Sequence, residues 1–401
     1  MIPFSRTSDF ERGTDPFTLA LHQSRELFHL SKGGGEGFPR SLKADGSVRL
    51  VPPENWTSGF FPGILWMLFD IAGKDQVREF AETCTERLKT VQAFRGHHDI
   101  GFIINCSFGH GYRITQKPEY REVIIEAARS LLTRFRPSIG FIQSLEPFDH
   151  WRCPVLVDNL MNLELLFVAH TLTDDEKFYE IAAEHAQNTL KTHYRTDGSC
   201  YHLVDFEEKS GRVLERGSHQ GLNAESVWAR GQAWGVYGCT MVYRFTGDKR
   251  FLDQAVRSSE YLLSHKNVPA DGVPYWDYNA PGPDPQRDSS AAAVLTSALY
   301  ELAGFSTEKR DAFSKAADTM AESLSSGTYL AGPGENGYFL LKHGIGNRPA
   351  GKEIDVPLIY GDYYYLEALL RKKREGNSVE QRRAAGTTGT AGTAGRGTVN
   401  P

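Results

Sequence analysis

The chain has 401 residues, of which 40% are hydrophobic and 24% charged, the balance of a folded globular protein rather than a disordered one. With 45 Lys and Arg against 50 Asp and Glu, the formal charge of −5 lacks the basic footprint of a general nucleic-acid binder. Five scattered cysteines without CxxC or clustered His/Cys spacing support neither a disulfide framework nor a structural zinc site, and no run approaches the ~18 apolar residues of a membrane span.

The start, MIPFSRTSDFERGTD, has no basic segment followed by an apolar one, as a secretory signal would. The expected location is the cytoplasm, with the periplasm as the alternative if the native N-terminus is truncated here. Neither nucleic acid nor a membrane is an expected partner.

Apolar residues then recur at i, i+3 and i+4 through most of the chain. They predict about twelve amphipathic helices, near 16–30, 58–73, 75–92, 101–114, 118–135, 157–172, 174–193, 224–246, 248–264, 289–303, 306–325 and 358–372. The segments that begin near 58, 101, 157, 224, 289 and 358 are rich in Gly, Ala, Leu and aromatics, whereas those between them carry many Lys, Glu and Arg. The joints AGKDQVREFA, TQKPEYREV, TDDEKFYEIA, TGDKRFLDQA and STEKRDAFSKA form a weak repeat: a polar turn, a charged helix start, then an inward apolar residue.

Turns into the charged helices are short, while the stretches 31–56, 136–156, 194–223, 265–288 and 326–357, which lead into apolar helices, are long. Long ordered loops in a compact domain are usually functional. The pattern predicts an all-α fold, an (α/α)6 barrel of six helical hairpins with the apolar helices inside. An open helical solenoid is the alternative, but it needs no such one-sided excess of loops. In the barrel, six helix N-termini and all the long loops share one rim, where unpaired N–H groups favour anions. Residues 1–375 are read as this single domain, and the Gly/Thr/Ala-rich stretch 376–401 as a disordered tail.

Candidate chemistry clusters at the predicted inner-helix starts. Asp99, in HHDIGF, and Asp158, in VDNLMNLELL, occupy N-cap positions, which leaves capping and chemistry equally open. Two carboxylates on one rim can split into a proton donor and a charged partner. Arg230, in ARGQAW, is costly inside an apolar helix start unless paired, either with a substrate carboxylate or with an internal aspartate such as Asp158. Trp56 and Trp234 could stack on sugar rings or belong to the core. His97, His98, His202 and His219 show no metal-ligand spacing, and no phosphate-binding glycine loop is present.

Together WTSGFFPG, HHDIGF, VDNLMNLELL, HQG, ARGQAWGVYG, RDSSAAA and IYGDYYYLEALL, running from about Trp56 to Leu370, resemble glycoside hydrolase family 88, the unsaturated glucuronyl hydrolases. The related unsaturated rhamnogalacturonyl hydrolases usually read RGNGW where this chain has RGQAW, which favours the glucuronyl branch. The resemblance implies release of a terminal 4,5-unsaturated glucuronic acid from oligosaccharides made by polysaccharide lyases, by hydration of the C4=C5 vinyl ether. It implies no metal or organic cofactor. The carried-over roles are Asp158 as general acid/base and Asp99 as the second essential aspartate. His202, Gln220 and Arg230 match residues around the uronate, and Trp56 and Trp234 match stacking walls. The expected partner is an unsaturated uronate-terminated oligosaccharide, and the expected assembly a monomer or homodimer. Some members that act on sulfated substrates carry Ser-x-x-Ser-x-Lys before the last inner helix; here Gly344, Asn347 and Pro349 stand at those places, which speaks against sulfated chondroitin-type substrates. The rivals are a rhamnogalacturonyl hydrolase, a sugar epimerase, whose opposed histidines are not seen, and a non-catalytic glycan-binding scaffold.

Overall fold

The computed structural model describes residues 15–388 apart from Asp284, with side chains described to Glu375. In chain order the elements are α1 (Pro16–Leu30), β1 (Phe38–Leu42), β2 (Val48–Val51), α2 (Phe60–Ala72), α3 (Asp75–Glu86), α4 (Ile100–Ile104), α5 (His110–Thr115) and α6 (Pro118–Leu132). There follow β3 (Phe135–Arg136), β4 (Phe141–Ile142), β5 (Pro154–Leu156), α7 (Asn159–Thr173), α8 (Glu176–Thr192), β6 (Leu203–Phe206) and β7 (Val213–Gly217). The rest are α9 (Ala229–Thr246), α10 (Lys249–Ser264), α11 (Ser289–Phe305), α12 (Arg310–Leu324), β8 (Gly344–Asn347), β9 (Lys352–Val356) and α13 (Ile359–Thr388).

The inner ring is α2, α4–α5, α7, α9, α11 and α13. Each packs on the next, and α13 packs back on α2, so the ring closes as a barrel rather than opening as a solenoid. Buried apolar side chains from all six inner helices merge into one core. The charged helices α3, α6, α8, α10 and α12 lie outside, each turning one apolar face to the ring.

Four of the five joints share one geometric cause, and the fifth, at Ser306, reverses without it. Gly73, Gln116, Asp174 and Gly247 end inner helices in the left-handed region, with φ of 61°, 55°, 57° and 66°. One extended residue then starts the outer helix: Lys74, Lys117, Asp175 or Asp248. A left-handed C-cap followed by an N-cap reverses the chain in two residues.

Three departures from the sequence reading stand out. The predicted helix 101–114 is broken by a π-turn at Asn105–Gly109. Ser107 Oγ there back-bonds to the Ile103 carbonyl at 2.6 Å. Four small antiparallel sheets, β1–β2, β3–β4, β5–β6–β7 and β8–β9, sit in the long connections that read as plain loops. Helix α13 also runs on to Thr388, past the expected start of the tail at 376. Its Glu, Gln, Arg and Ala residues there are good helix formers. The remainder of that predicted tail, 389–401, lies outside the described residues.

Candidate functional site

The long connections meet on the rim at the N-terminal ends of the inner helices. Glu54 O takes a bond from His97 Nε2 at 2.9 Å, and His98 N–H bonds to Ser144 O at 3.0 Å. Val157 N–H bonds to His202 O at 2.9 Å, and β1 carries Arg40 to Glu353 on β9.

Asp158 follows β5. That strand pairs with β6 in a register that sets Leu156 opposite Leu203, and Val157 and His202 continue the pairing by one bond. The sheet thereby places the Asp158 carboxyl beside the His202 ring, with 3.9 Å from Oδ1 to Nε2. His202 Nδ1 accepts from the backbone N–H groups of His219 and Gln220 at 3.1 and 3.3 Å, so the ring proton sits on Nε2 and faces Asp158. Burial holds the His202 pKa well below the usual range, and the ring stays neutral. Asp158 Oδ1 and His202 Nε2 are both buried without a hydrogen-bond partner. Both are therefore available to a bound substrate.

Neither aspartate caps its helix. Asp99 and Asp158 occupy the N-cap positions of α4 and α7 without a side-chain cap bond. The Asp99 carboxylate instead lies 3.4 Å from His97 Nδ1 and 3.4 Å from His98 Nε2, and accepts from Asn162 Nδ2 at 3.3 Å. Burial first, and the Asp99 charge second, push Asp158 up to about 7, while the more distant Arg230 pulls the other way. His98 is pushed down to about 4 by burial, and so stands neutral beside Asp99.

Arg230, in the first turn of α9, is 2% exposed. Its partner is Asp288, at 2.8 Å, and not Asp158. Its two terminal nitrogens also donate to Ile345 O and Gly346 O on β8 and to Gln220 Oε1 at 2.8 Å. The guanidinium thus joins α9, α11 and the β8–β9 hairpin, and by holding Gln220 Oε1 it leaves the Gln220 amide N–H groups as donors. Asp288, which the sequence reading does not single out within RDSSAAA, caps α11 by accepting from Ser290 N–H at 3.1 Å and also holds Arg230.

Trp56, Gln220, Arg230, Lys352, Glu353 and Tyr360 line a cavity of about 260 Å³ at the rim. Trp56 is half-buried, 4.8 Å from the Tyr360 ring, and offers a face to this cavity. Trp234 does not behave as the second wall predicted. It is 1% exposed, packed between Phe102 and Tyr364 at 5.3 Å from each, because it lies more than a turn inside α9. The Tyr360 hydroxyl is buried without a hydrogen-bond partner. A larger cavity of about 420 Å³ lies farther down the barrel and includes Glu164, Arg244, Glu367 and Arg371. None of the predicted site residues lines it, and its Arg244 and Arg371 are engaged by Glu164, Glu301 and Glu367. Among the described residues no group of His, Cys, Asp and Glu side chains is arranged to hold a metal ion, and no helix is long and apolar enough to cross a membrane.

Residues 43–370 match the model of Glycosyl Hydrolase Family 88. An unsaturated glucuronyl hydrolase of Formosa agariphila is 43% identical over 85% of this chain and 86% of its own. An unsaturated chondroitin disaccharide hydrolase of Streptococcus pneumoniae is 33% identical over 85% and 88%. A solved unsaturated glucuronyl hydrolase specific for heparin superposes with a TM-score of 0.86 at 41% identity, covering 90% of this chain and 98% of that one. The family model spans most of the chain and the whole closed ring superposes on such an enzyme, and the chain belongs to glycosyl hydrolase family 88.

Proposed function

We propose that this glycosidase removes the 4,5-unsaturated glucuronyl residue from the non-reducing end of lyase-generated oligosaccharides, with Asp158 as the acid that starts a hydration. The observation that carries the reading is the Asp158 carboxyl itself. It is buried, it is pushed up to about 7 chiefly by that burial, and its Oδ1 is unpartnered. An ordinary aspartate would hold its proton at neutral pH in only about one molecule in 1,600, whereas a group at about 7 holds it in about half.

Asp158 gives its proton to C4, positive character develops at C5 beside the ring oxygen, and Asp158, now a carboxylate, takes a proton from the water that adds at C5. The resulting hemiketal opens to a C5 ketone and a hemiacetal at C1, which loses the aglycone as an alcohol. Asp99 keeps a negative charge near the acid. His202 Nε2–H and the Gln220 amide supply donors for the sugar. Arg230 fixes Gln220 and the β8–β9 hairpin, and adds positive potential rather than a free fork. Trp56 offers the face on which an apolar sugar surface stacks. The reading places the enzyme in the cytoplasm, as a monomer or homodimer acting on imported lyase products.

The test is loss of ultraviolet absorbance from the conjugated double bond of unsaturated disaccharides, run in deuterium oxide. Hydration puts deuterium on C4. A product without deuterium at C4, or one that keeps the double bond, refutes the mechanism.

A further inference from the structure

A helix usually takes the N–H groups of its first turn on the side chain of its own N-cap residue, and Asp is among the preferred residues there. Helix α4 does otherwise. The N–H of Phe102, its third residue, is bonded at 2.7 Å by Asn162 Oδ1, from a different helix. Asn162 is completely buried and lies one turn beyond Asp158 on α7. Its Nδ2 is 3.3 Å from Asp99 Oδ1, 3.3 Å from His98 Nδ1 and 3.5 Å from the Asp158 carbonyl oxygen.

The two helices touch at this residue. A Cβ on Gly101 would stand 2.6 Å from both Asn162 Cα and Asn162 Oδ1, so only glycine admits the approach. Asn162 therefore does two things with one amide. Its oxygen takes the N–H that Asp99 would otherwise cap, and its nitrogen holds the carboxylate thus released.

We propose that Asn162 is a positioning residue, a cap supplied to α4 from α7 that frees Asp99 and holds it against Asp158. The proposal rests on the assignment of Asp158 as the acid, and it explains how a residue at an N-cap position escapes capping. Without the amide, the shortest partner for Asp99 is the Phe102 N–H, three residues along its own helix. The carboxylate would then swing down to the helix end and away from Asp158.

The charged and titratable groups facing the pair are few. His97 and His98 face Asp99 from its own segment, with Arg134 farther back. Asp158 faces Asp99, Arg230, His202 and Cys200. Of these only Asp99 raises Asp158, so its removal to the helix end moves the alkaline limit of turnover to lower pH.

The test compares Asn162→Ala with the parent enzyme on an unsaturated disaccharide across pH, together with a crystal structure of the variant. The expected result is a KM within about twofold of the parent and a kcat at neutral pH lower by roughly 10- to 100-fold, the usual cost of a small misplacement. The alkaline limb should move to lower pH, and the Asp99 carboxylate should sit on the Phe102 N–H. A merely structural role would lower the melting temperature but leave the pH profile of the folded enzyme in place, and that result would overturn the proposal. Should Asn162→Ala not fold, Asn162→Ser is too short to reach Phe102 and carries the same expectation. Asp158→Asn separates the two levels. If it still turns over, the assignment of the acid fails. If it is dead while Asn162→Ala or Asn162→Ser keeps the parent limb, only the positioning role fails.

Discussion

Replacing Asp99 by Asn tests how the acid is tuned. The substitution keeps the shape and removes one negative charge from beside Asp158, which that charge helps to raise to about 7. Taking roughly 2 kcal/mol for the effect of a nearby unit charge at an effective dielectric constant of ~20, the change in proton affinity is about one and a half pH units. Burial, the larger cause, stays. The alkaline limb of kcat/KM should therefore fall from about 7 to the middle fives, not to the ordinary aspartate range. At pH 7 the protonated fraction would drop roughly 15-fold by the same arithmetic, and the loss should shrink steadily as the pH is lowered. The assay is the decay of ultraviolet absorbance at several pH values. An alkaline limb that stays near 7 in a folded Asp99→Asn enzyme, or a deficit equally large at every pH, would refute the electrostatic coupling.

Asp158→Asn should be inactive yet more heat-stable than the parent at pH 8. Asp158 binds its proton more tightly folded than unfolded, so the penalty of ionising it is absent below about pH 4 and complete above about pH 7, where it reaches up to roughly 4 kcal/mol. Scanning calorimetry should show the gain at pH 8 and none near pH 4; no gain at pH 8 would contradict the buried, strained acid. In Arg230→Lys a point charge cannot hold Asp288, Gln220 and the two β8 carbonyls together, and KM should rise about tenfold or more. Unchanged kinetics in the folded variant would remove Arg230 from substrate binding. Glu353→Gln strips the carboxylate that holds Arg40 at 2.7 Å and Arg49 at 3.1 Å, and should cost about 3–5 kcal/mol by leaving a buried arginine uncompensated. Denaturant unfolding measures this, and a loss under 1 kcal/mol would show that the contact between β1 and β9 does not rest on that cluster.

The barrel was legible because its inner and outer helices differ in composition and its joints repeat. Both features come from local rules, a 3.6-residue period and a two-residue reversal at Gly73, Gln116, Asp174 and Gly247. The rim sheets were not legible. Strands such as Phe135–Arg136 and Pro154–Leu156 are shorter than the alternation that would reveal them. Asp99, Asp158, His202, Gln220 and Arg230 do come together on one rim, as their places at the inner-helix starts and on one long loop suggested. What could not be read was how they are paired. Arg230 faces Asp288 rather than Asp158, a choice made by the stagger of α9 against α11. Trp234 lies deeper in its helix than its motif suggests. Asn162 read as one more polar residue in VDNLMNLELL, because its role depends on the contact between α4 and α7, which no local pattern encodes.

The fate of the N-cap aspartates shows how a fold built on one rule makes room for chemistry. Asp15, Asp175, Asp248 and Asp288 all cap their helices, accepting from Thr18, Lys177, Arg250 and Ser290 N–H groups at 3.0 to 3.1 Å. Asp175 and Asp248 start outer helices, where a satisfied first turn is all that is needed. At Asp99 and Asp158 the same residue type stands at the same position, but the backbone there is αR or close to it rather than extended, and the side chain points away from the helix end. Helix α4 recovers its bond from Asn162, while in α7 the Leu160 and Met161 N–H groups turn back to the Val157 and Asp158 carbonyls at 3.1 and 3.0 Å. The helix N-terminus would by itself favour an ionised Asp158. Burial and the Asp99 charge outweigh it, which is why the residue keeps a proton to give. On the proposed assignment, the anion-favouring rim expected from six converging helix ends serves the substrate carboxylate better than it serves Asp158. Asp158 would then act as the acid only because the protein withholds from it both the cap and the solvent that an ordinary N-cap aspartate enjoys.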